Sequence, residues 1–204
     1  MLAKLKDEVA TNNRLYGLRV DYLTKVKDAG ERAIVFLEKN EPCTENYWSL
    51  LVDFFIASQS SPTPFVKTVG EEMQRLGLPR SEMLKQLIDE YYLLSEGTNA
   101  AVDLSPKYRD RVRELMTLNA MKALWGKCHA VDRKGFEFLI ENCEQQIPDE
   151  EITRILEKFK QTPEILEYLN HWIGLHYIYI PLFELLLDIG SETIDTIVGH
   201  LKAS

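Results

Sequence analysis

Residues 164–189 read EILEYLNHWIGLHYIYIPLFELLLDI, and this stretch decides the fold class. From Trp172 onward it is apolar on nearly every face of a helix, which is typical of a central helix with neighbours on all sides. Pro181 lacks an amide hydrogen and crowds the carbonyl of Tyr177, so we expect a kink near it. Because polar residues interrupt the stretch, it predicts a buried helix rather than a membrane span, which needs about 20 nearly uninterrupted apolar residues.

The spacing of apolar residues is helical on both sides of this stretch, and no segment alternates apolar and polar residues over a strand's length. We therefore predict an all-α fold without a sheet, either a compact multi-helix bundle or a globin-like orthogonal array of eight or nine helices. The predicted helices are residues 2–39, 44–58, 64–76, 80–96, 106–130, 133–146, 149–160, 163–189 and 191–202. Predicted starts are Thr63-Pro64, Ser105-Pro106 and Thr162-Pro163, and predicted stops are Asn40, Gly77, Gly97 and Gly190.

The length of 204 residues fits a single helical domain, 1–204, by the usual range of domain sizes. A division near residue 100, into residues 1–99 and 100–204, is the alternative, because Gly-Thr-Asn before a new helix start is typical of a boundary. We see no internal repeat and no low-complexity tract.

The net charge of −8 argues against nucleic acid as a partner, because such binding depends on Lys and Arg that neutralise phosphates. The densest cationic stretch, residues 107–113, is expected to form the outer face of an amphipathic helix. Cys43, Cys128 and Cys143 are odd in number and form no CxxC pair, which predicts reduced cysteines in a cytoplasmic protein. The N-terminus lacks the apolar run of a signal peptide, which favours the same location.

The four histidines form no Glu-x-x-His pair, the spacing that a di-iron bundle needs, and we predict no metal and no resident cofactor. No nucleophile-elbow motif, phosphate-binding glycine loop or dinucleotide fingerprint occurs, so we predict a protein that is not an enzyme. A haem or cofactor held by His171 or His176 is the alternative.

Polar groups set into the apolar stretch are the candidate ligand-binding residues. A small-molecule pocket in the central helix would use them as its lining. The alternative is a core helix whose polar groups satisfy one another, since buried Tyr and His side chains are normally hydrogen-bonded. The candidate set is Trp172, His176, Tyr177, Tyr179 and Glu184.

The N-terminal helix carries a row of apolar and aromatic residues at alternating steps of three and four, as in a coiled-coil seam. Such a row predicts a homodimer, and the alternative is that the helix packs across its own bundle. The seam residues that would carry dimerisation are Leu5, Val9, Tyr16, Leu23 and Val26.

Residues 44–96 carry a family resemblance. The run TENYWSLLVDFFIAS, a Ser/Pro-rich loop and the run FVKTVGEEMQRLGLPRSEMLKQLIDEYYLLSEG resemble the N-terminal sensory domains of RsbR-type stressosome proteins. The shared pattern is a Trp-bearing helix, a short helix ending in Gly-Leu-Pro and a longer helix from Met83-Leu84. The resemblance implies a globin-like helical fold, usually without haem, and it carries over no functional residue.

These observations predict a helical sensory or regulatory module in signal transduction. It would bind a small apolar ligand or a protein partner, with no nucleic acid and no membrane span. A non-catalytic adaptor or scaffold with an acidic surface is a further alternative. The sequence does not identify the ligand, the partner or the helix topology.

Overall fold

The computed structural model of the chain describes residues 1–39, 47–60, 65–102, 106–133 and 135–203. Within these ranges the fold has eight helices and one short β-hairpin, which confirms the predicted all-α class. The helices are α1 Leu2–Glu38, α2 Tyr47–Ala57, α3 Thr68–Arg75, α4 Glu82–Val102, α5 Lys107–Leu115, α6 Leu118–Lys127, α7 Asp149–Lys160 and α8 Pro163–Ala203. The strands are β1 His129–Val131 and β2 Glu137–Leu139, which pair antiparallel.

Helix α7 has the predicted bounds because every local signal agrees. Its first turn holds three acidic residues and its last turn holds Lys158 and Lys160, so both ends match the helix dipole. Its buried side chains recur at helical spacing and form one apolar face. They are Ile152, Ile155, Leu156 and Phe159.

The stop at Gly77 is confirmed. Gly77 has a φ of +66°, in the left-handed region that favours glycine. The N–H of Leu78 donates to the carbonyl of Met73 at 2.9 Å, and the N–H of Gly77 donates to the carbonyl of Gln74 at 3.1 Å. This pair of bonds is the Schellman arrangement, which satisfies carbonyls that the end of α3 would otherwise leave without partners.

The helix predicted over 133–146 is wrong, and so is the prediction of no sheet. The carboxylate of Asp132 accepts the N–H of Phe136 at 2.9 Å, and Gly135 takes a φ of +85°. These two features turn the chain so that β2 pairs with β1. Burial alternates only over Phe138–Ile140, which is too few residues to stand out in the sequence.

The helix predicted over 106–130 is divided into α5 and α6. Met116 and Thr117 are both extended, and the hydroxyl of Thr117 accepts the N–H of Ala120 at 3.1 Å. Thr117 is therefore the N-cap of α6. Threonine favours this position because its hydroxyl replaces a missing helical partner, and the apolar spacing across residues 106–130 conceals it.

Gly97 and Gly190 do not end helices. α4 continues past Gly97 to Val102, and α8 runs without a break from Pro163 through Gly190 to Ala203. A Cβ at Gly190 would overlap the side chain of Asn13 on α1. Glycine at 190 thus allows α1 and α8 to approach closely, which is a packing role rather than a capping role. The kink expected at Pro181 stays a prediction.

The remaining predicted starts and stops have mixed outcomes. Pro163 is the first residue of α8 as predicted, but the hydroxyl of Thr162 donates back to the carbonyl of Lys158 at 2.8 Å instead of capping α8. Three of the marks lie outside the described residues. These are Thr63-Pro64, Ser105 and Asn40.

The chain divides into two compact units, each built from separate segments. Unit 1 comprises residues 1–21, 62–104 and 178–204, and unit 2 comprises residues 22–61 and 105–177. The helices α1 and α8 each contribute residues to both units. One boundary falls at 104/105, close to the predicted division, while the others fall inside α1, after α2 and inside α8.

α8 is long and apolar enough from Pro163 to Lys202 to cross a membrane, by length and composition only. In the fold, 33% of its most apolar window is buried. The core helix of a soluble protein meets the same criterion, so the predicted absence of a membrane span stays a prediction.

Candidate functional site

The five predicted ligand residues divide between the two units. Trp172, His176 and Tyr177 belong to unit 2, whereas Tyr179 and Glu184 belong to unit 1. Trp172, His176 and Tyr179 are buried, while Tyr177 is 60% exposed and Glu184 is exposed. Neither cavity described below is lined by any of the five.

Trp172 and His176 form one contact inside unit 2. Their rings meet edge to face with centroids 4.5 Å apart, and Nδ1 of His176 lies 2.9 Å from the carbonyl oxygen of Trp172. The indole N–H of Trp172 donates to the carbonyl of Ala57 at 3.0 Å. These bonds fit the alternative in which polar groups of the core helix are satisfied locally.

Tyr177 and Tyr179 lie in different surroundings. The hydroxyl of Tyr177 donates to the carboxylate of Glu31, and Lys27 lies 5.3 Å from the centre of its ring. The bond to Glu31 raises the pKa of Tyr177 because that carboxylate stabilises the protonated phenol. Burial raises the pKa of Tyr179. A role for these residues in ligand binding stays a prediction.

The five predicted seam residues of α1 all lie inside the folded chain. Leu5, Val9, Tyr16, Leu23 and Val26 are each 0% exposed. Their row therefore packs across the chain's own core, which is the alternative that the sequence left open. The predicted homodimer stays a prediction.

The prediction of reduced cysteines is wrong for two of the three. Cys128 and Cys143 form a disulfide, which links the end of α6 to the segment after β2. The indole N–H of Trp48 donates to the carbonyl of Cys143 at 2.7 Å and ties α2 to the same segment. Cys43 lies outside the described residues. The cytoplasmic location stays a prediction, without support from the cysteines.

The two histidines considered for haem differ in exposure: His171 is exposed and His176 is fully buried. Among the residues that the structure describes, no three His, Cys, Asp or Glu side chains could hold a metal ion together.

An apolar groove lies between α4 and the C-terminal part of α8, within unit 1. Its volume is about 660 Å³, inside the range of about 300–1,000 Å³ that small-molecule sites occupy. The residues of α4 follow steps of three and four, and those of α8 do the same, so one face of each helix forms a wall. The lining is Glu90, Leu93, Leu94, Gly97, Thr98, Leu182, Leu185 and Ile189.

Two of the leucines face water, since Leu93 is 74% exposed and Leu185 is 46% exposed. Thr98 at the same groove is only 2% exposed, and its hydroxyl oxygen has no hydrogen-bond partner among the described residues. A buried hydroxyl without a partner costs about 1–3 kcal/mol, so native proteins seldom leave one. The groove thus combines apolar walls with a buried hydroxyl beneath its surface, which a ligand reaches only when a lining side chain moves.

A second cleft of about 410 Å³ lies between α3 and α4, also within unit 1. Its charges are largely matched: Lys67 pairs with Glu71 at 3.1 Å and with Glu96. Beneath it, the buried carboxylate of Glu8 accepts the N–H groups of Val69 and Gly70. Glu8 therefore caps the N-terminus of α3 from a distant part of the chain, so we interpret this region as structural.

Sequence reasoning missed the α4–α8 groove. In the sequence, Leu93 and Leu94 follow Tyr91 and Tyr92 without a break, and nothing local separates the buried residues of this run from the exposed ones. Tyr91 is 0% exposed while Leu93 is 74% exposed. Four consecutive apolar residues spread around more than one face of a helix. Such a run is the signal that could have indicated an exposed apolar surface.

Comparison with protein-family models, with curated proteins and with solved structures finds no match for this chain. The resemblance of residues 44–96 to stressosome sensory domains therefore stays a prediction.

Proposed function

We propose that this protein is a helical sensory or regulatory module that binds a small apolar molecule in the α4–α8 groove. The observation that carries the proposal is the pairing of an apolar, partly exposed lining with the buried hydroxyl of Thr98. Exposed leucines scattered singly need no explanation, but leucines that share one groove with a buried polar group do.

The lining specifies the chemistry of the ligand. Leu93, Leu94, Leu182, Leu185 and Ile189 supply apolar contact over most of the groove. The hydroxyl of Thr98 supplies one hydrogen bond, and the exposed Glu90 sets a negative charge at the groove. An anionic ligand such as a fatty acid would be repelled there. The favoured ligand is an apolar molecule with one uncharged polar group.

A ligand in this groove would contact two helices at once. Its free energy of binding would favour the helix packing in which both walls contact it, and a partner could detect that shift. This is the sense in which we propose a sensory or regulatory role.

Fluorescence titration with Nile red, an uncharged apolar dye, tests the proposal. We expect saturable, one-to-one binding to the wild-type protein, with blue-shifted emission. Leu93→Glu and Leu185→Glu place a carboxylate in the apolar wall and should weaken binding by roughly tenfold or more. Thr98→Val removes one hydrogen bond, worth about 1 kcal/mol, and should weaken it about fivefold.

Leu118→Glu is the matched control, because Leu118 is 71% exposed on α6 and does not line the groove. This variant should bind Nile red as the wild type does. Equal dye binding by wild type, Leu93→Glu and Leu185→Glu would refute the proposal. Sedimentation velocity on the same proteins identifies a different occupant. If wild type is a dimer and Leu185→Glu a monomer, a second copy of the chain covers the groove.

A further inference from the structure

Helix α5 presents three arginines in two different settings. Tyr108 and Val112 are fully buried and fix the inner face of the helix. Arg111 lies on the outer face, where it pairs with Glu114 at 3.1 Å. Arg109 and Arg113, one turn apart, flank the buried row and are only partly exposed. All three arginines are partly exposed, and Arg109 and Arg113 differ from Arg111 in the groups that hold them.

Arg109 is held by the end of α2 through uncharged groups. Its Nε donates to the carbonyl of Ser58 at 2.9 Å, and its Nη2 donates to the carbonyl of Ser60 at 2.8 Å and to the Ser60 hydroxyl. Among the described residues, Nη1 makes no hydrogen bond and no carboxylate lies within ion-pair distance. The guanidinium is therefore fixed in place with a donor remaining.

Arg113 is held in the same way. Its Nη2 donates to the side-chain oxygen of Gln59 at 3.2 Å, and Gln59 is itself 2% exposed and bonded to the carbonyl of Phe55. The guanidinium lies 5.2 Å from the centre of the Trp125 ring. Its Nε is buried and has no hydrogen-bond partner among the described residues.

The two charges repel each other in partly desolvated surroundings. Burial lowers the pKa of both guanidinium groups, and the charge of Arg109 further lowers the pKa of Arg113. Asp110 and Glu137 oppose this through space, as weaker contributions, without bonding either arginine. Arginine nevertheless stays protonated, so the pair holds two positive charges that uncharged partners do not neutralise.

We propose that Arg109 and Arg113, beside the indole of Trp125, bind the phosphate group of a small phosphate monoester. The guanidinium fork matches the geometry of phosphate oxygens, and Nη1 of each arginine makes no hydrogen bond among the described residues. Two positive charges match the charge of a phosphate monoester, about −1.5 to −2 at pH 7, better than that of a single carboxylate. This site does not depend on the α4–α8 groove or on its ligand.

Isothermal titration calorimetry of the full chain with inorganic phosphate and with phenyl phosphate at pH 7.5 tests the site. We expect saturable one-to-one binding. Arg109→Gln and Arg113→Gln should each weaken it roughly tenfold or more, because hydrogen bonds to charged groups contribute about 1.5–3 kcal/mol. Arg111→Gln is the matched control from the same helix and should bind within about twofold of wild type. Tighter binding of phenyl phosphate would indicate an organic ester, and equal binding would indicate free phosphate.

The dependence of binding on pH tests the role of charge at this site. Lowering the pH to 5.5 protonates phenyl phosphate, whose second pKa is about 6 as in other phosphate monoesters, and should weaken its binding, whereas sulfate should bind equally at both pH values. Arg113→Lys keeps the charge without the planar fork. This variant should fold as the wild type does and bind phosphate more weakly. Absence of saturable heat with both phosphates, or an equal loss in Arg111→Gln, would overturn the proposal.

Discussion

Unit 1 and unit 2 each contain charged side chains that are partly or fully buried, and the two units differ in how these side chains are hydrogen-bonded. In unit 1 the carboxylate of Glu8, 7% exposed, accepts two backbone N–H groups of α3 and the hydroxyl of Tyr92 at 2.5 Å. In unit 2, Arg109 and Arg113 are bonded to uncharged oxygens and keep unused donors. Both charges are bonded by uncharged groups, but both oxygens of Glu8 accept hydrogen bonds, whereas each arginine keeps donors that make none.

This difference separates a structural charge from a candidate binding site. A buried charge whose bonding groups are all used stabilises the fold, and removing it leaves several groups without partners. A partly buried charge with spare donors costs stability until a ligand binds it, a trade-off that binding sites commonly show. The burial of Tyr92 together with its bond to Glu8 raises the pKa of that phenol well above its usual range, which agrees with a tightly held pair.

Among the substitutions that test this comparison, Glu8→Ala is expected to change the free energy of unfolding most. The substitution leaves the N–H groups of Val69 and Gly70 and the hydroxyl of Tyr92 without their acceptor, so we expect the free energy of unfolding to fall by about 3 kcal/mol. Urea unfolding followed by circular dichroism measures it. Glu72→Ala, on the exposed face of α3, is the control and should change stability by no more than about 0.5 kcal/mol. An equal loss in both variants would show that Glu8 has no special role.

Gly70→Ala, beside Glu8 and Tyr92, should change the free energy of unfolding by an intermediate amount. A Cβ at residue 70 would overlap the ring of Tyr92, and the ring must then move away from Glu8. Overpacking of this kind costs about 1–3 kcal/mol. In contrast, a Cβ at Gly174 of α8 meets nothing within 4 Å, so Gly174→Ala should stabilise the protein by about 0.5–1 kcal/mol. Thermal unfolding of the two variants should give shifts of opposite sign, and shifts of the same sign would contradict the close contact at residue 70.

Arg113→Met should change the free energy of unfolding least, and it tests the comparison in unit 2. Methionine keeps an unbranched side chain beside Trp125 and removes the desolvated charge. In phosphate-free buffer we expect the free energy of unfolding to stay the same or rise by about 0.5 kcal/mol. A loss of more than about 2 kcal/mol would mean that Arg113 is as structural as Glu8, and the comparison would then fail.

Local signals gave the right elements wherever they agreed with one another. In α7 the acidic start, the basic end and the row ending at Phe159 all point to the same helix. At residue 77 a glycine, which tolerates the observed positive φ, and the Leu-Pro that follows it indicate the same helix end. The hairpin was missed because its strands are three residues long, and a disulfide between residues 128 and 143 closes the segment that contains it.

The candidate sites were less predictable than the elements. The sequence pointed to Trp172 and Tyr177 because they interrupt an apolar stretch, yet the fold buries the first and exposes the second. Leu93 and Thr98 have no distinguishing neighbours in the sequence. Arg109 and Arg113 were recognised as part of a cationic stretch, but their burial depends on α2 and α6.

The sequence by itself determined the all-α class and the bounds of helices such as α7, because helical periodicity and end signals act between residues a few positions apart. The tertiary structure alone decided that Glu8 caps α3, that glycine at 190 admits the side chain of Asn13, and that two arginines of α5 lie against α2. Those features depend on residues brought together from distant positions, and burial and hydrogen bonding are settled only when such residues meet.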